Sequence, residues 1–561
     1  MRRSLYLLAG TILLSALPLF TVAFSDRPGR PITSLRPNTS RTVRVQGEHL
    51  ITITQLEPTQ QTVDWVKHTL RNHPAVLRFL RGTKNRLVSF ELVDQDTKAT
   101  RDVPPPDRYR AAFYDYTNNR AIIARGRFDH SDIEVFESAE QPDPSEEEFQ
   151  EAVSILSKDP KLAAAFKNET VSAYQPMPPL IGAGAGGDRI IGVGLFSKDG
   201  SVPHEVVGVN LIRRRIVRFK TLAPETSRAS PTHCGPPSAG QGSVPRGTAG
   251  QFLVQISREG TLIWQFTVVR PSASSGTRGS SIELRDVDYR GKRVLRRAHV
   301  PILNVQYERN SCGPFRDWSY QEDRLMADGT DVAPGIRVTS TPPKTIIDTN
   351  DDMGNFLGVA IYDNRSEVTL VTEKSAGWYR YLSEYTFQDN GVIRPRYAFG
   401  ATASSCVCAP HVHHAYFRFD FDIGTPENNV VFEKAKRSMI QLTSEAMRSR
   451  LFGSEHLWVV QNSVTGETVT IRPGRRDGNW DKYGRGDIWA LQFKPNELDD
   501  GVICITGCDT RIQIHNFING ESLSNQDVVI WYGVHSLHNE NDTNTLSGPH
   551  VAGPDLILEK F

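Results

Sequence analysis

Residues 404–423 read SSCVCAPHVHHAYFRFDFDI and place two cysteines, three histidines and two aspartates in one short run. From His411 onward one parity carries His411, His413, Ala415, Phe417, Phe419, Phe421 and Ile423. The other carries Val412, His414, Tyr416, Arg418, Asp420 and Asp422. A period of two is the signature of a β-strand. It puts His411 and His413 on the face of the Phe/Ile run, toward a core. Two buried imidazoles need polar partners, and one metal ion satisfies both. The bland alternative is a hydrogen-bonded polar core. Cys406 and Cys408 nearby are either soft metal ligands or disulfide partners.

The surroundings of this strand are β-rich. Short strands such as FLVQISR, LIWQFTVVR, VIRPRYAFGA and DVVIWYG recur through residues 251–561, separated by turns, and predict a large, mainly antiparallel β-sandwich. Upstream, a helix over TQQTVDWVKHTLRNHPAVLRFLRG precedes strands RLVSFELVD and YRAAFYDYTNNRAIIARGRF, with Asn118-Asn119 as a hairpin turn. The plan repeats with SEEEFQEAVSILSKDPKLAAAFKN, RIIGVGLFS and HEVVGVNLIRRRIVRF, and both helices break before a proline. Two small α+β domains are therefore expected at 49–140 and 141–222. A Pro/Gly/Ser-rich linker or surface loop follows at 223–250. A chain of 561 residues accommodates about three such domains.

The N-terminus has two arginines, an apolar run from Leu5 to Val22 and small residues near Ala23 and Ser25. That is the form of a signal peptide over residues 1–25, followed by a mobile leader at 26–48; a signal anchor is the alternative. No later segment reads as a membrane span, and a net charge of +1 points to no nucleic-acid partner. The expected location is extracellular. Six cysteines then suggest disulfides: a Cys504–Cys508 clip, and Cys406 or Cys408 joined to Cys234 or Cys312, a Cys406–Cys408 bridge being strained. Sequons at Asn38, Asn168, Asn364 and Asn541 fit export as a glycoprotein.

HVHHAYFRFDFDI resembles the copper-binding strand of the copper amine oxidases, His-x-His followed by a basic residue and Asp-x-Asp. SAGWYRYLSEYTFQDNGVIRPR, some thirty residues earlier, resembles that family's quinone-precursor segment. The order of two small α+β domains and a β-sandwich is similar too, as in a divergent secreted member of fungal type. The resemblance implies that Tyr379 is the precursor of topaquinone and that His411 and His413 are copper ligands. It implies a third ligand in VVIWYGVHSLHNEND, with His535 in the matching place and His538 as substitute. Asp317 would be the general base and Tyr307 the hydrogen-bond partner of the quinone. Asp420 and Asp422, with the backbone of Phe421, would form a peripheral calcium-type site; a solvated strand face is the other reading. Asp317 as a loop aspartate beside Arg316, and Tyr379 as ordinary strand packing, are the plain alternatives.

The activity so implied is oxidative deamination of a primary amine by oxygen, giving aldehyde, ammonia and hydrogen peroxide. A carboxylate of tuned pKa would remove the α-proton. Three imidazoles suit copper. The family is dimeric, which implies a homodimer. The chain departs from the pattern at Trp378, where the family has Asn, and at Arg380, where it has an acidic residue. The indole is expected to leave the Asn hydrogen bonds unmade, and Arg380 to alternate away from Tyr379. A copper protein of this fold without the quinone, and a non-catalytic extracellular binding protein, are the competing readings.

Overall fold

Two large sheets, mostly antiparallel, enclose one apolar core, and the strand His411–Phe421 runs through the middle of one of them. The computed structural model describes residues 42–94, 98–138, 141–176, 187–197, 202, 205–218, 234–240, 244, 246–274, 281–307, 315–317, 321–451, 455–481, 484–502, 511–538 and 551–561. Among these, His411–Phe421 pairs antiparallel with Lys292–Tyr307 on one side and Val528–His538 on the other. The facing sheet carries Tyr379–Gln388 between Glu367–Ala376 and Val392–Ala401. Phe417, Phe419 and Phe421 meet Tyr381, Tyr385 and Phe387 in the core between the sheets. The outer face of the histidine sheet is covered as well: Tyr416, Trp489, Val529 and Trp531 form a second buried cluster there. Its strands are therefore apolar on both faces, so alternation in a neighbouring strand does not say which face looks inward.

The small units pack helices on four-stranded antiparallel sheets. Gln60–Asn72 and Pro74–Leu80 lie with the sheet Asn85–Val93, Arg108–Asp115, Arg120–Arg127 and Ile133–Ser138. Glu146–Leu156 and Ala163–Lys167 lie with Val171–Tyr174, Ile190–Ser197, Glu205–Asn210 and Arg215–Val217. Local signals account for these helices. Thr59 caps the first, Pro74 opens the second, and Ser145 with Glu148 forms a capping box on the third. Asn119 takes the left-handed conformation that the Asn-Asn hairpin turn requires, with φ at 53°.

The N-terminal boundary differs from the expectation. Thr42–Gln46 and Leu50–Gln55 form a hairpin that extends the histidine sheet through Gln251–Arg258, so part of the expected leader is strand. Ile51 and Ile53 fill the sandwich core. His49 reaches across to the other sheet, with Nδ1 2.6 Å from Asp363 and Nε2 2.9 Å from Asp389. Part of the segment 223–250 is packed as well. Its residues 234–240 lie along the sandwich, where Cys234 bonds Cys408 and exchanges backbone hydrogen bonds with Ser404. Cys406 and Cys408 stand in a 3-10 turn, Ser405–Cys408, just ahead of the histidine strand. Cys406 is disulfide-bonded too. The expected Cys504–Cys508 clip, the signal segment and the sequons at Asn38 and Asn541 lie outside the described residues. Asn168 and Asn364 are exposed.

The Cys234–Cys408 bond closes 174 residues and pins the turn just before His411. Serine at both positions should cost about 2–4 kcal/mol, because the unfolded chain regains the entropy of that loop. Calorimetry should read this as a lower melting temperature of the sandwich transition.

Candidate functional site

Strand register decides which histidines meet. His411 stands opposite His538, His413 opposite Ser536 and His414 opposite His535. Directly paired residues share a face, so His411, His413 and His538 point into the sandwich and His414 and His535 point out of it. The ring centres of His413 and His538 lie 5.0 and 4.7 Å from that of His411. Within that trio His411 Nε2 and His538 Nδ1 are 3.1 Å apart. His535, given the matching place in the sequence, is not part of this group. Its Nδ1 lies 2.8 Å from His414 Nδ1, and its Nε2 is 3.2 Å from Asp487. Burial pushes both of these outer imidazoles below the ordinary histidine pKa.

The tyrosines come from the facing sheet. The Tyr379 hydroxyl is 2.9 Å from His411 Nε2 and 2.5 Å from the Tyr307 hydroxyl. Trp378 donates its indole N–H to that Tyr307 oxygen at 3.1 Å. The indole thus takes part in the site: it fixes the tyrosine that holds Tyr379. Arg380 alternates to the opposite face, as expected. There its guanidinium lies 2.8 Å from Asp323 and 2.7 Å from Asp352.

Asp317 reaches the site through Tyr381. Tyr381 donates its hydroxyl to Asp317 and lies 3.0 Å from His413 Nδ1. Arg316 turns away to Asp500, at 2.6 Å. When Asp317 is ionised it can only accept the single proton of the Tyr381 hydroxyl, so His413 Nδ1 carries the N–H of the second contact. Its Nε2 then holds a lone pair. His411 behaves alike: Nδ1 is 2.6 Å from the Ala409 carbonyl, which only accepts, and Nε2 is left as the basic nitrogen. Phe399 stacks on the His413 ring, with centroids 3.5 Å apart, and fixes its plane. Burial pushes the Asp317 carboxyl up to about 7, the Tyr381 hydrogen bond working against the rise. It drives the Tyr379 and Tyr307 phenols well above their ordinary range.

The site is closed. Tyr379 is 2% exposed, His411 1% and Asp317 5%, and the neighbouring void, lined by Tyr381, Phe399, His413 and Ser536, is small. Tyr381 and Phe399 are the residues that sequence reasoning missed. Their strand parity with Tyr379 and its partner Ala401 was the available signal.

Asp420 and Asp422 are buried at 0% and 2% exposure, so the solvated-face reading fails. With Asp527 they form a cluster with the spacing of cation ligands. Its centre is taken by the Lys98 ammonium, which is 2.6 Å from Asp420, 2.9 Å from Asp422 and also bonded to Asp527. The calcium-type reading therefore does not fit the residues present.

Comparison with solved structures identifies the architecture. Over 94% of this chain and 94% of theirs, the coordinates match a copper-containing benzylamine oxidase from Hansenula polymorpha at 12% identity and a TM-score of 0.52. A lysyl oxidase from Pichia pastoris matches at 13% identity over 93% of this chain and 90% of its own, with a TM-score of 0.53. The fold is that of the copper amine oxidases. No family model matches the sequence, and no curated protein matches it either. Identity this low speaks to the copper amine oxidase fold alone. No helix among the described residues is long and apolar enough to cross a membrane.

The buried carboxyl gives a prediction. Asp317 should titrate near 7, protonated below and ionised above. Infrared difference spectra should show a carboxylic C=O stretch that disappears as pH rises through 7 and is missing in Asp317→Asn.

Proposed function

We propose that the chain is a secreted copper protein of this fold that oxidises a primary amine through a quinone derived from Tyr379. The observation carrying the proposal is the contact of the Tyr379 hydroxyl with His411 Nε2, beside His413 and His538. The donor set fits copper: three imidazoles, with Nε2 left basic on two of them by the hydrogen bonds at Ala409 and Tyr381. When bound, copper supplies the redox chemistry with oxygen that can turn a phenol into a quinone.

The chain's own groups do the rest. Tyr307 and Trp378 hold the Tyr379 oxygen, and misplacing a reacting atom by about 1 Å can cost on the order of 10²-fold in rate. Asp317, with its carboxyl near 7, is suited to accept a proton from carbon at neutral pH. Arg380, ion-paired on the far face, takes no part in substrate contact. The overall conversion is RCH2NH2 + O2 + H2O to RCHO + NH3 + H2O2. Export is supported by the Cys234–Cys408 disulfide and by the arginine-led apolar N-terminus.

One observation favours a second reading, a copper protein without the quinone. Tyr379 is enclosed by Trp378, Tyr307, Phe399 and the histidines, so its ring edge has little space around it.

Metal analysis of copper-matured protein should give about one copper per chain. His411→Ala, His413→Ala and His538→Ala should each reduce it to near zero, whereas His535→Ala should keep it. Full retention in the His411→Ala/His413→Ala double variant would remove the proposal. Peptide mass spectrometry after aerobic copper loading then separates the two readings. A modified Tyr379 supports the amine oxidase, and an unmodified one with copper bound leaves only the second reading.

A further inference from the structure

The acidic cluster on the outer face of the histidine sheet is occupied by the protein itself. Asp420 and Asp422 come from the end of the histidine strand, and Asp527 directly precedes the neighbouring strand Val528–His538. Their oxygens lie within 4.8 Å of one another. Three carboxylates this close, with side chains 1%, 3% and 20% exposed, repel strongly and require a cation. Burial and mutual repulsion push the Asp422 and Asp527 carboxyls up, and the Lys98 charge works against the rise.

Lys98 supplies the charge from far away in sequence. It belongs to the connection between Asn85–Val93 and Arg108–Asp115, in the first small sheet. Its ammonium has three donors, and the structure gives it three carboxylates. The ammonium also lies 4.2 Å from the centre of the Phe493 ring. The residues that follow are fastened to the same sheet. Arg296 donates to the Thr100 and Arg101 carbonyls, both at 2.6 Å, and Arg293 to Asp102 at 2.6 Å. Asp286 accepts from the Val103 backbone at 2.9 Å.

We propose that Lys98 is a built-in cation that takes the place of a divalent metal at the Asp420–Asp422–Asp527 cluster and straps residues 98–103 to the sandwich. A calcium ion needs about six to eight oxygens at about 2.3–2.6 Å, and the ammonium fills the point on which the three carboxylates converge. The site is metal-independent because the strap carries its own charge. Removing that charge should uncover a divalent-cation site.

The test compares full-length wild type and Lys98→Ala in EDTA and in about 1 mM calcium, a concentration typical of extracellular calcium modules. Wild type should melt at the same temperature in both and hold no calcium after equilibrium dialysis. Lys98→Ala should melt several degrees lower in EDTA, recover in calcium and bind about one ion per chain. Adding Asp422→Asn to that variant should abolish the uptake. Wild type that retains one calcium, lost in Asp422→Asn, overturns the proposal even if Lys98→Ala fails to fold. So does a Lys98→Ala variant that takes up no calcium or melts like wild type in EDTA.

Discussion

The hydrogen bond between Tyr379 and His411 joins two sheets that share no strand pairing among the described residues, and the proposed chemistry depends on it. Face-packed sheets stand about 10 Å apart, so the two side chains meet only if the filling between them sets that separation. Here the filling is aromatic: Phe417 and Phe419 from one sheet, Tyr385, Phe387 and Tyr397 from the other. A cavity among these rings would move the phenol relative to the imidazole without touching either. The disulfide at Cys408 and the Ala409 carbonyl act at the end of the histidine strand, fixing where it begins and which nitrogen of His411 faces the tyrosine.

Much of this was legible in the sequence because it is local. The parity of HVHHAYFRFDFDI placed His411 and His413 inward, and the parity of WYRY turned Arg380 away from Tyr379. The failures share a cause: they depend on pairing across long distances. His535 and His538 sit on opposite faces of a strand that is apolar on both, and only the register with His411 chooses between them. Tyr381 is an ordinary core tyrosine until Asp317 and His413 are seen on either side of its oxygen. Lys98 lies 322 residues from Asp420, and no pattern in either segment announces the contact. The hairpin at 42–55 was hidden in a polar stretch because its core face is short: Ile51 and Ile53 are buried, with Val43 and Val45 partly buried beside them.

The two departures from the copper amine oxidase pattern have different consequences. Arg380 is absorbed by a buried ion-pair network behind the strand, with Asp323 and Asp352, and leaves the tyrosine face unchanged. Trp378 alters that face. Its N–H is directed at Tyr307, so the oxygen of Tyr379 is held from the side by a relay of two groups. A ring held this way gains order and loses room to turn, a constraint that bears on the choice between an amine oxidase and a copper protein without quinone.

The central claim is that His411, His413 and His538 make one metal centre against Tyr379. Crystals of copper-matured protein, measured at the copper absorption edge, test it most directly. The account predicts one anomalous peak among these three imidazoles, close to the Tyr379 ring. A peak at His414 and His535 on the outer face, or no peak in protein that carries copper by analysis, would contradict it.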